Sequence, residues 1–178
     1  MEKFFKNGLS IFLAITIVFS SAYVGLNELD FNGLFVVKTK AASVDDLTFV
    51  LSSDGTYYSL TDCDTTAEGE LNIPDTYNNL PVTSIGSKAF EHCTSLTSVI
   101  IPNTVTCIDS WAFNNCNSLT SVIIPDSVTA IYSYAFYSCP NLNSFTLSDN
   151  VNFIGCEALS GTGYYKNTNN WDNGSLYV

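Results

Sequence analysis

Residues 82–104 read VTSIGSKAFEHCTSLTSVIIPNT, and the stretch returns as VTCIDSWAFNNCNSLTSVIIPDS at 105–127 and VTAIYSYAFYSCPNLNSFTLSDN at 128–150. The first two copies agree at 15 of their 23 positions, which identifies the period as a true internal repeat. A partial fourth copy occupies 151–160. A fixed period of this length predicts a solenoid, in which each copy forms one coil and stacks on the next.

Each copy contains the pattern of one short strand. Leu96, Val99 and Ile101 have L-x-x-L-x-L spacing, and the last two are separated by the two-residue period of a strand. Pro102 follows at once and ends the pairing, because proline has no N–H to donate. Equivalent strands of neighbouring coils should pair in parallel. The predicted strands lie near 98–101, 121–124 and 144–147.

A second pair of apolar residues opens each copy and is predicted to point inward from the opposite wall. The pairs are Val82/Ile85, Val105/Ile108, Val128/Ile131 and Val151/Ile154.

The segment between the two walls, residues 87–92 in the first copy, suits one helical turn. Ser87 is its predicted N-cap, and Ser110 and Ser133 repeat the cap. Ala89 should let the next coil approach closely, while Phe90 fills the core.

The ends of the array depart from the period. Residues 43–81 are predicted to form an N-terminal cap: strand, turn and strand over 47–61, then a degenerate repeat at Leu71-Asn72-Ile73-Pro74. Residues 161–178 form an end-of-array segment, in which Ser175 to Val178 begin a strand. Because no polar cap follows, we expect a truncated array.

Residues 1–42 are predicted to be a signal peptide. Lys3 and Lys6 precede an apolar run that is shorter than the span of about 20 residues that crosses a membrane. Cleavage fits after Ala22 or after Ala41 or Ala42, and we favour the later site because ordinary folded sequence follows it. An uncleaved anchor is the alternative.

Charge restricts the partners of the remaining chain. Residues 43–178 contain fourteen acidic residues and two lysines, Lys88 and Lys166, and the whole chain has no arginine. Such a surface argues against nucleic acid and against anionic lipid headgroups, because both need Lys and Arg. We expect no membrane contact beyond the signal segment. Oligomeric state is left open.

The motif IPxSVTxIxxxAFxxCxxLTSVxIP closely resembles the repeat of the BspA-like leucine-rich repeat proteins of bacteria, and the resemblance covers about residues 47–178. It implies a leucine-rich repeat solenoid, β-rich with short helical turns, with a parallel sheet on the concave face and an N-terminal β-hairpin cap. It also implies a secreted or cell-surface bacterial protein whose array serves adhesion and binds extracellular protein or glycan ligands.

Cysteines recur in one column at Cys93, Cys116 and Cys139. No C-x-x-C pair supports a zinc site, and three equivalent thiols cannot all pair, although stacked positions about 5 Å apart are within reach of a disulfide. We interpret the column as buried thiols. Cys63, Cys107 and Cys156 are placed off this column. A disulfide formed by Cys107 or by Cys156 is left open.

Catalytic and metal sites find little support. His92 is the one histidine, and it should face solvent while Cys93 points inward. Calcium at Asp62, Asp64 and Glu68 is an alternative to a solvated loop, although the full D-x-D-x-D-G pattern is missing. We predict no enzyme activity, no metal and no cofactor.

Two surfaces remain as candidate ligand sites. The first is the outward side of the strands, and the second is a group of aromatic residues that replace smaller or polar ones of the first copy. Strand propensity could explain the first, and packing between coils the second. The strand residues are Ser98, Ile100, Ser121, Ile123, Ser144 and Thr146. The aromatic residues are Trp111, Tyr132, Tyr134 and Tyr137.

The leading hypothesis is therefore a secreted or cell-surface binding module. Two alternatives are a truncated docking module of a larger exported enzyme and a non-functional fragment.

Overall fold

The described part of the computed structural model is residues 41–167, 169, 171–172 and 175–176, within a compact unit that spans Ala41–Val178. The signal peptide predicted at 1–42 lies outside the described residues except for its last two, so both it and its cleavage site stay predictions. Within the described ranges, no helix combines the length and the apolar content needed to cross a membrane.

The strands are short, and a single-turn 3-10 helix, Val44–Asp46, precedes the first of them. They are β1 (Leu47–Leu51), β2 (Tyr58–Cys63), β3 (Gly69–Asn72), β4 (Thr76–Tyr77), β5 (Leu80–Ile85), β6 (Leu96–Ile100), β7 (Cys107–Ile108), β8 (Ser121–Ile123), β9 (Ala130–Ile131), β10 (Ser144–Thr146), β11 (Phe153–Ile154), β12 (Trp171–Asp172) and β13 (Ser175–Leu176). Helix α1 (Gly163–Lys166) follows the last coil.

Two parallel sheets run along the solenoid. One has the order β10-β8-β6-β3, and the other has the order β1-β2-β5-β7-β9-β11 with β4 beside β5. Pairing joins equivalent residues of neighbouring coils, as in Val99 with Val122. The exceptions are the antiparallel pairs β1–β2 and β4–β5 in the N-terminal cap and the short β12–β13 hairpin. The predicted solenoid, its parallel strands and its N-terminal hairpin are confirmed.

A column of phenylalanine rings forms the centre of the core. Phe90, Phe113 and Phe136 are fully buried. Their ring centroids are 4.7 Å and 5.0 Å apart with interplanar angles of 3°. Ala89, Ala112 and Ala135 are also buried, as expected for positions where coils approach closely.

The helical turn predicted at 87–92 is wrong, because this segment is a run of hydrogen-bonded turns. Lys88 and His92 have φ values of 65° and 64°, which lie in the left-handed region and interrupt any helix. Ser87 caps nothing, since its hydroxyl donates to the Ser110 carbonyl of the next coil at 3.0 Å. The same backbone recurs in each copy, at Trp111, Asn115, Tyr134, Ser138, Glu157 and Gly161.

These turns form a third ladder between coils. The Phe90 N–H donates to the Ala112 carbonyl and the Phe113 N–H to the Ala135 carbonyl, both at 2.7 Å. Intervening amides close local turns instead, as from Glu91 to the Lys88 carbonyl at 2.9 Å. The left-handed residues thus direct alternate N–H groups to the next coil, and the buried backbone is satisfied without a strand.

The cysteine column is buried as predicted, and it links the coils. The Cys116 thiol donates to the Phe90 carbonyl and the Cys139 thiol to the Phe113 carbonyl, each at 3.0 Å. Cys63, which the sequence places off this column, contacts its first member, since the Cys63 carbonyl lies 3.9 Å from the Cys93 sulfur.

Two of these neighbouring thiols, Cys63 and Cys116, are harder to ionise than an ordinary thiol. Contact with the Cys93 thiol, and then burial, raise the pKa of Cys63, and contact with Cys139 and burial do the same for Cys116. All six cysteines are free, so neither Cys107 nor Cys156 forms the bridge left open by the sequence.

The last coil differs from the others at a position predicted to point inward. Ile154 is 41% exposed, whereas its equivalents Ile108 and Ile131 are at most 1% exposed. Within the described residues no further coil covers it. Helix α1 lies at this end instead, capped by the Thr162 side chain, which accepts from the Tyr165 N–H.

A side-chain hydrogen bond from Asn114 to Glu91 is among the contacts that join the turns of the first two coils. The buried Asn114 amide donates to the Glu91 carboxylate at 2.9 Å, and Lys88 lies 3.3 Å from the same carboxylate. The Asn114 hydrogen bond, and then Lys88, lower the pKa of Glu91 from its ordinary value near 4.5.

We expect Glu91→Gln to lower the free energy of unfolding at neutral pH. A carboxyl whose folded-state pKa is depressed stabilises the fold above its unfolded pKa and loses that contribution as the pH falls through the folded value. The difference from wild type should therefore shrink as the pH falls below about 4.5. Urea denaturation of both proteins between pH 7 and pH 3 measures this.

The control is the same comparison in an Asn114→Leu background, where the pH-dependent difference should largely disappear. A difference that stays constant with pH would contradict the proposed role of this contact.

We expect Phe113→Ala to lower the free energy of unfolding by about 3–5 kcal/mol, because it opens a cavity inside the ring column. Ile123→Ala, at a 72% exposed position, should change it by less than about 0.5 kcal/mol. Chemical denaturation followed by circular dichroism compares the two. Equal losses would show that the ring column is not the core.

Candidate functional site

The outward side chains of the four-stranded sheet form two rows that cross its strands. Glu70, Ser98, Ser121 and Ser144 form one row, and Asn72, Ile100, Ile123 and Thr146 form the other. Ile100 is 50% exposed and Ile123 is 72% exposed. Removing such an apolar side chain from water is favourable, so the two central strands offer an apolar contact surface for a partner.

A shallow depression of about 470 Å³ lies along the carboxyl ends of these strands. Ile100, Ile123 and Thr146 line it together with Asn103 and Asp126. Ser98 and Ser121 also line it, whereas Ser144 lies outside. Five of the six predicted strand residues therefore meet at one place on the surface.

The four predicted aromatic residues separate into two groups. Trp111 and Tyr134 stack with their centroids 4.2 Å apart and their planes at 10°, and Tyr137 meets both edge-on at 6.0 Å and 5.6 Å. Tyr132 is not part of this cluster, because it lies beside Phe153 at 5.3 Å. We call Trp111, Tyr134 and Tyr137 the aromatic cluster.

The cluster is half-buried, so packing between coils accounts for part of it. It occupies the turns that lead from the seven-stranded sheet to the four-stranded sheet, and is therefore separate from the strand rows. The negative charge of Glu157, followed by that of Cys156, raises the pKa of Tyr134.

The catalytic and metal alternatives gain no geometric support. His92 is exposed and Cys93 is fully buried, so the two neighbours point apart as predicted. The Asp64 carboxylate accepts from the Thr66 N–H and hydroxyl at 2.8 Å, in a local turn. Among the described residues, no three His, Cys, Asp or Glu side chains are arranged to hold a metal.

Sequence reasoning missed Asn114. Its side chain is 5% exposed, and its Oδ1 is buried with no hydrogen-bond partner among the described residues. The equivalent residues of the first and last copies, Glu91 and Ser160, are also polar, so the repeat pattern gives no sign that Asn114 is buried. The one available signal is that large aromatic residues, Trp111 and Tyr137, replace smaller or polar ones close to it.

Residues 63–174 match the BspA type leucine-rich repeat region, in six copies. A leucine-rich repeat protein from Bacteroides capillosus ATCC 29799 is 34% identical, with a TM-score of 0.57 over 66% of this chain and 88% of that chain. No curated protein matches the sequence.

Two further crystal structures are similar. A leucine-rich repeat protein from Bacteroides ovatus ATCC 8483 is 32% identical with a TM-score of 0.58, and the match covers 66% of this chain but 32% of that one. A leucine-rich repeat protein of T. pallidum, 23% identical with a TM-score of 0.53 over 68% of this chain and 67% of that chain, shares the fold.

The repeat motif, the stacked coils and a family match over more than half of the residues agree with one another. The chain belongs to the BspA-type leucine-rich repeat family.

Proposed function

We propose that this chain is a secreted or cell-surface adhesion module that binds an extracellular protein through the outer face of its four-stranded sheet, without catalysis. The observation that carries the proposal is the exposure of Ile100 and Ile123 on the two central strands, at 50% and 72%. The core of the same strands is complete without them, since Val99 and Val122 fill the inward side.

The surroundings of this pair suit a protein ligand. Ser98 and Ser121 are short, so a partner side chain can reach the strands beside the isoleucines. Asn103 and Asp126 add polar groups at one edge of the depression. An apolar centre with a polar rim is the usual composition of a protein–protein interface.

Extracellular location is supported by the predicted signal at 1–42. The family match supports a binding role, because leucine-rich repeats present an extended surface built from successive coils.

The test is binding of the full chain to a panel of immobilised host-matrix proteins, measured by surface plasmon resonance. The double variant Ile100→Ser/Ile123→Ser should weaken binding to the panel member that wild type recognises by about tenfold or more, because exposed apolar anchors dominate such interfaces. Its melting temperature should stay close to that of wild type.

A matched control is Val50→Ser/Leu51→Ser on β1, where the side chains are 53% and 45% exposed. This variant should bind as wild type does. Equal binding by both double variants, or no binding of wild type to any panel member, would contradict the proposal.

A further inference from the structure

Cys63 and Cys93 meet where the N-terminal cap joins the first copy of the repeat. Cys63 ends strand β2 and is 3% exposed, and Cys93 follows the turns of the first copy and is fully buried. Both sulfurs contact the same atom, the Asp64 carbonyl oxygen, at 3.6 Å for Cys63 and 4.0 Å for Cys93. The thiols also contact each other, which is the largest cause of the raised pKa of Cys63. Two thiols that are 30 residues apart in sequence therefore converge at one place.

Hydrogen bonds hold these two thiols less firmly than the other thiols of the column. The Cys116 and Cys139 thiols donate to carbonyls of the preceding coil at 3.0 Å. The contacts of Cys63 and Cys93 with carbonyl oxygens are between 3.6 Å and 4.0 Å, which is long for a hydrogen bond. A covalent bond between Cys63 and Cys93 would therefore break no short hydrogen bond. A bond from Cys93 to Cys116 would instead remove the link between Cys116 and the Phe90 carbonyl.

Solvent reaches the column at its N-terminal end. Cys63 lines an open depression of about 450 Å³ together with Asp45, Asp46, Asp62 and Asp64. The cysteines of the column in the middle copies are fully buried. A small disulfide can therefore approach the Cys63 sulfur from the depression, and the carboxylates around it favour a reagent with positive charge.

The redox environment decides whether such a pair of thiols is oxidised. Disulfides form and persist in oxidising environments such as the cell exterior, whereas thiols inside the cytoplasm are kept reduced. The inference rests on the proposed function for one point, the secreted or cell-surface location that supplies this environment. The contact between the two cysteines is independent of any ligand.

We propose that Cys63 and Cys93 form a structural disulfide that fastens the N-terminal cap to the first copy of the array. The bond would enclose residues 64–92, which contain strands β3, β4 and β5. A cross-link across this stretch lowers the conformational entropy of the unfolded chain and so favours the folded state. It would act at one end of the stack, where the regular repeat gives way to the cap.

The bond forms in two exchange steps, with a small disulfide as the oxidant. The Cys63 thiolate attacks one sulfur of the oxidant and expels the other as a thiolate, which leaves a mixed disulfide. The Cys93 thiolate then attacks the Cys63 sulfur and expels the second half. The protein loses two protons and two electrons, and the oxidant is reduced to two thiols. Because the pKa of Cys63 is raised, its thiolate is scarce and exchange is slow, which suits a bond that is made once.

The experiment treats the reduced full chain with cystamine, a small cationic disulfide, then alkylates free thiols in denaturant and digests the product with trypsin. Lys88 is the one tryptic site between Cys63 and Cys93, because the chain has no arginine. Residues 41–88 contain only Cys63, and residues 89–166 contain the other five cysteines. We expect mass spectrometry without reduction to find these two peptides joined, and tandem fragmentation to place the link at Cys93.

Variants provide matched controls and a measure of the stabilisation. Cys93→Ser should abolish the joined peptides, whereas Cys139→Ser, at a buried position of the same column, should leave them. Oxidation should raise the melting temperature of wild type by about 5 °C or more and should leave that of Cys63→Ser unchanged. Ile100→Ser/Ile123→Ser should cross-link as wild type does, so failure of the sheet face as a binding site remains distinguishable from failure here.

Three results would overturn the proposal. They are separate peptides 41–88 and 89–166 after oxidation, a link from Cys63 to a cysteine other than Cys93, and a linked protein that melts no higher than the reduced one. Because the tandem spectrum of wild type locates the link itself, the assignment does not depend on the folding of any variant.

Discussion

The structure depends on backbone hydrogen bonds that join equivalent residues of neighbouring coils. Three ladders run along the solenoid, one in each parallel sheet and one through the turns between them. Because all three share the 23-residue register, a shift in any one would break the other two. One coil cannot bury its own apolar residues, so the ladders and the phenylalanine column stabilise the fold only when several coils stack.

The same register separates structural positions from functional ones. Repeated residues such as Phe113 and Cys116 are buried and bonded to the adjacent coil, which leaves them no contact with a partner. Variation is tolerated where side chains leave the stack, on the outer strand rows and at the left-handed turn position. Ile100 and Ile123 lie on the outer strand rows, and Trp111 and Tyr134 lie at the left-handed turn position. Both candidate surfaces are therefore at positions where stacking of the coils does not fix the residue type.

Much of the fold could be predicted from the period, because inward positions repeat with it and strands such as β6 and β8 follow from alternation. The turns could not, since the left-handed conformation of Lys88 and His92 has no glycine to signal it. The contact between Cys63 and Cys93 could not be predicted, because the cap lacks the spacing of the repeat. The candidate site was predicted in part. Five of the six strand residues line one depression, but Tyr132 lies outside the aromatic cluster, beside Phe153. The burial of Asn114 could not be predicted, because it depends on neighbours in two coils.

Amide hydrogen exchange tests the ladder between the turns most directly. The N–H groups of Phe90, Phe113 and Phe136 donate to the next coil at 2.7 Å and lie in a fully buried core. They should exchange as slowly as the central strand amides and at one common rate, as expected for a single cooperative unit. Rapid exchange at these three amides, with the strands still protected, would contradict the claim that the turns hold the coils together.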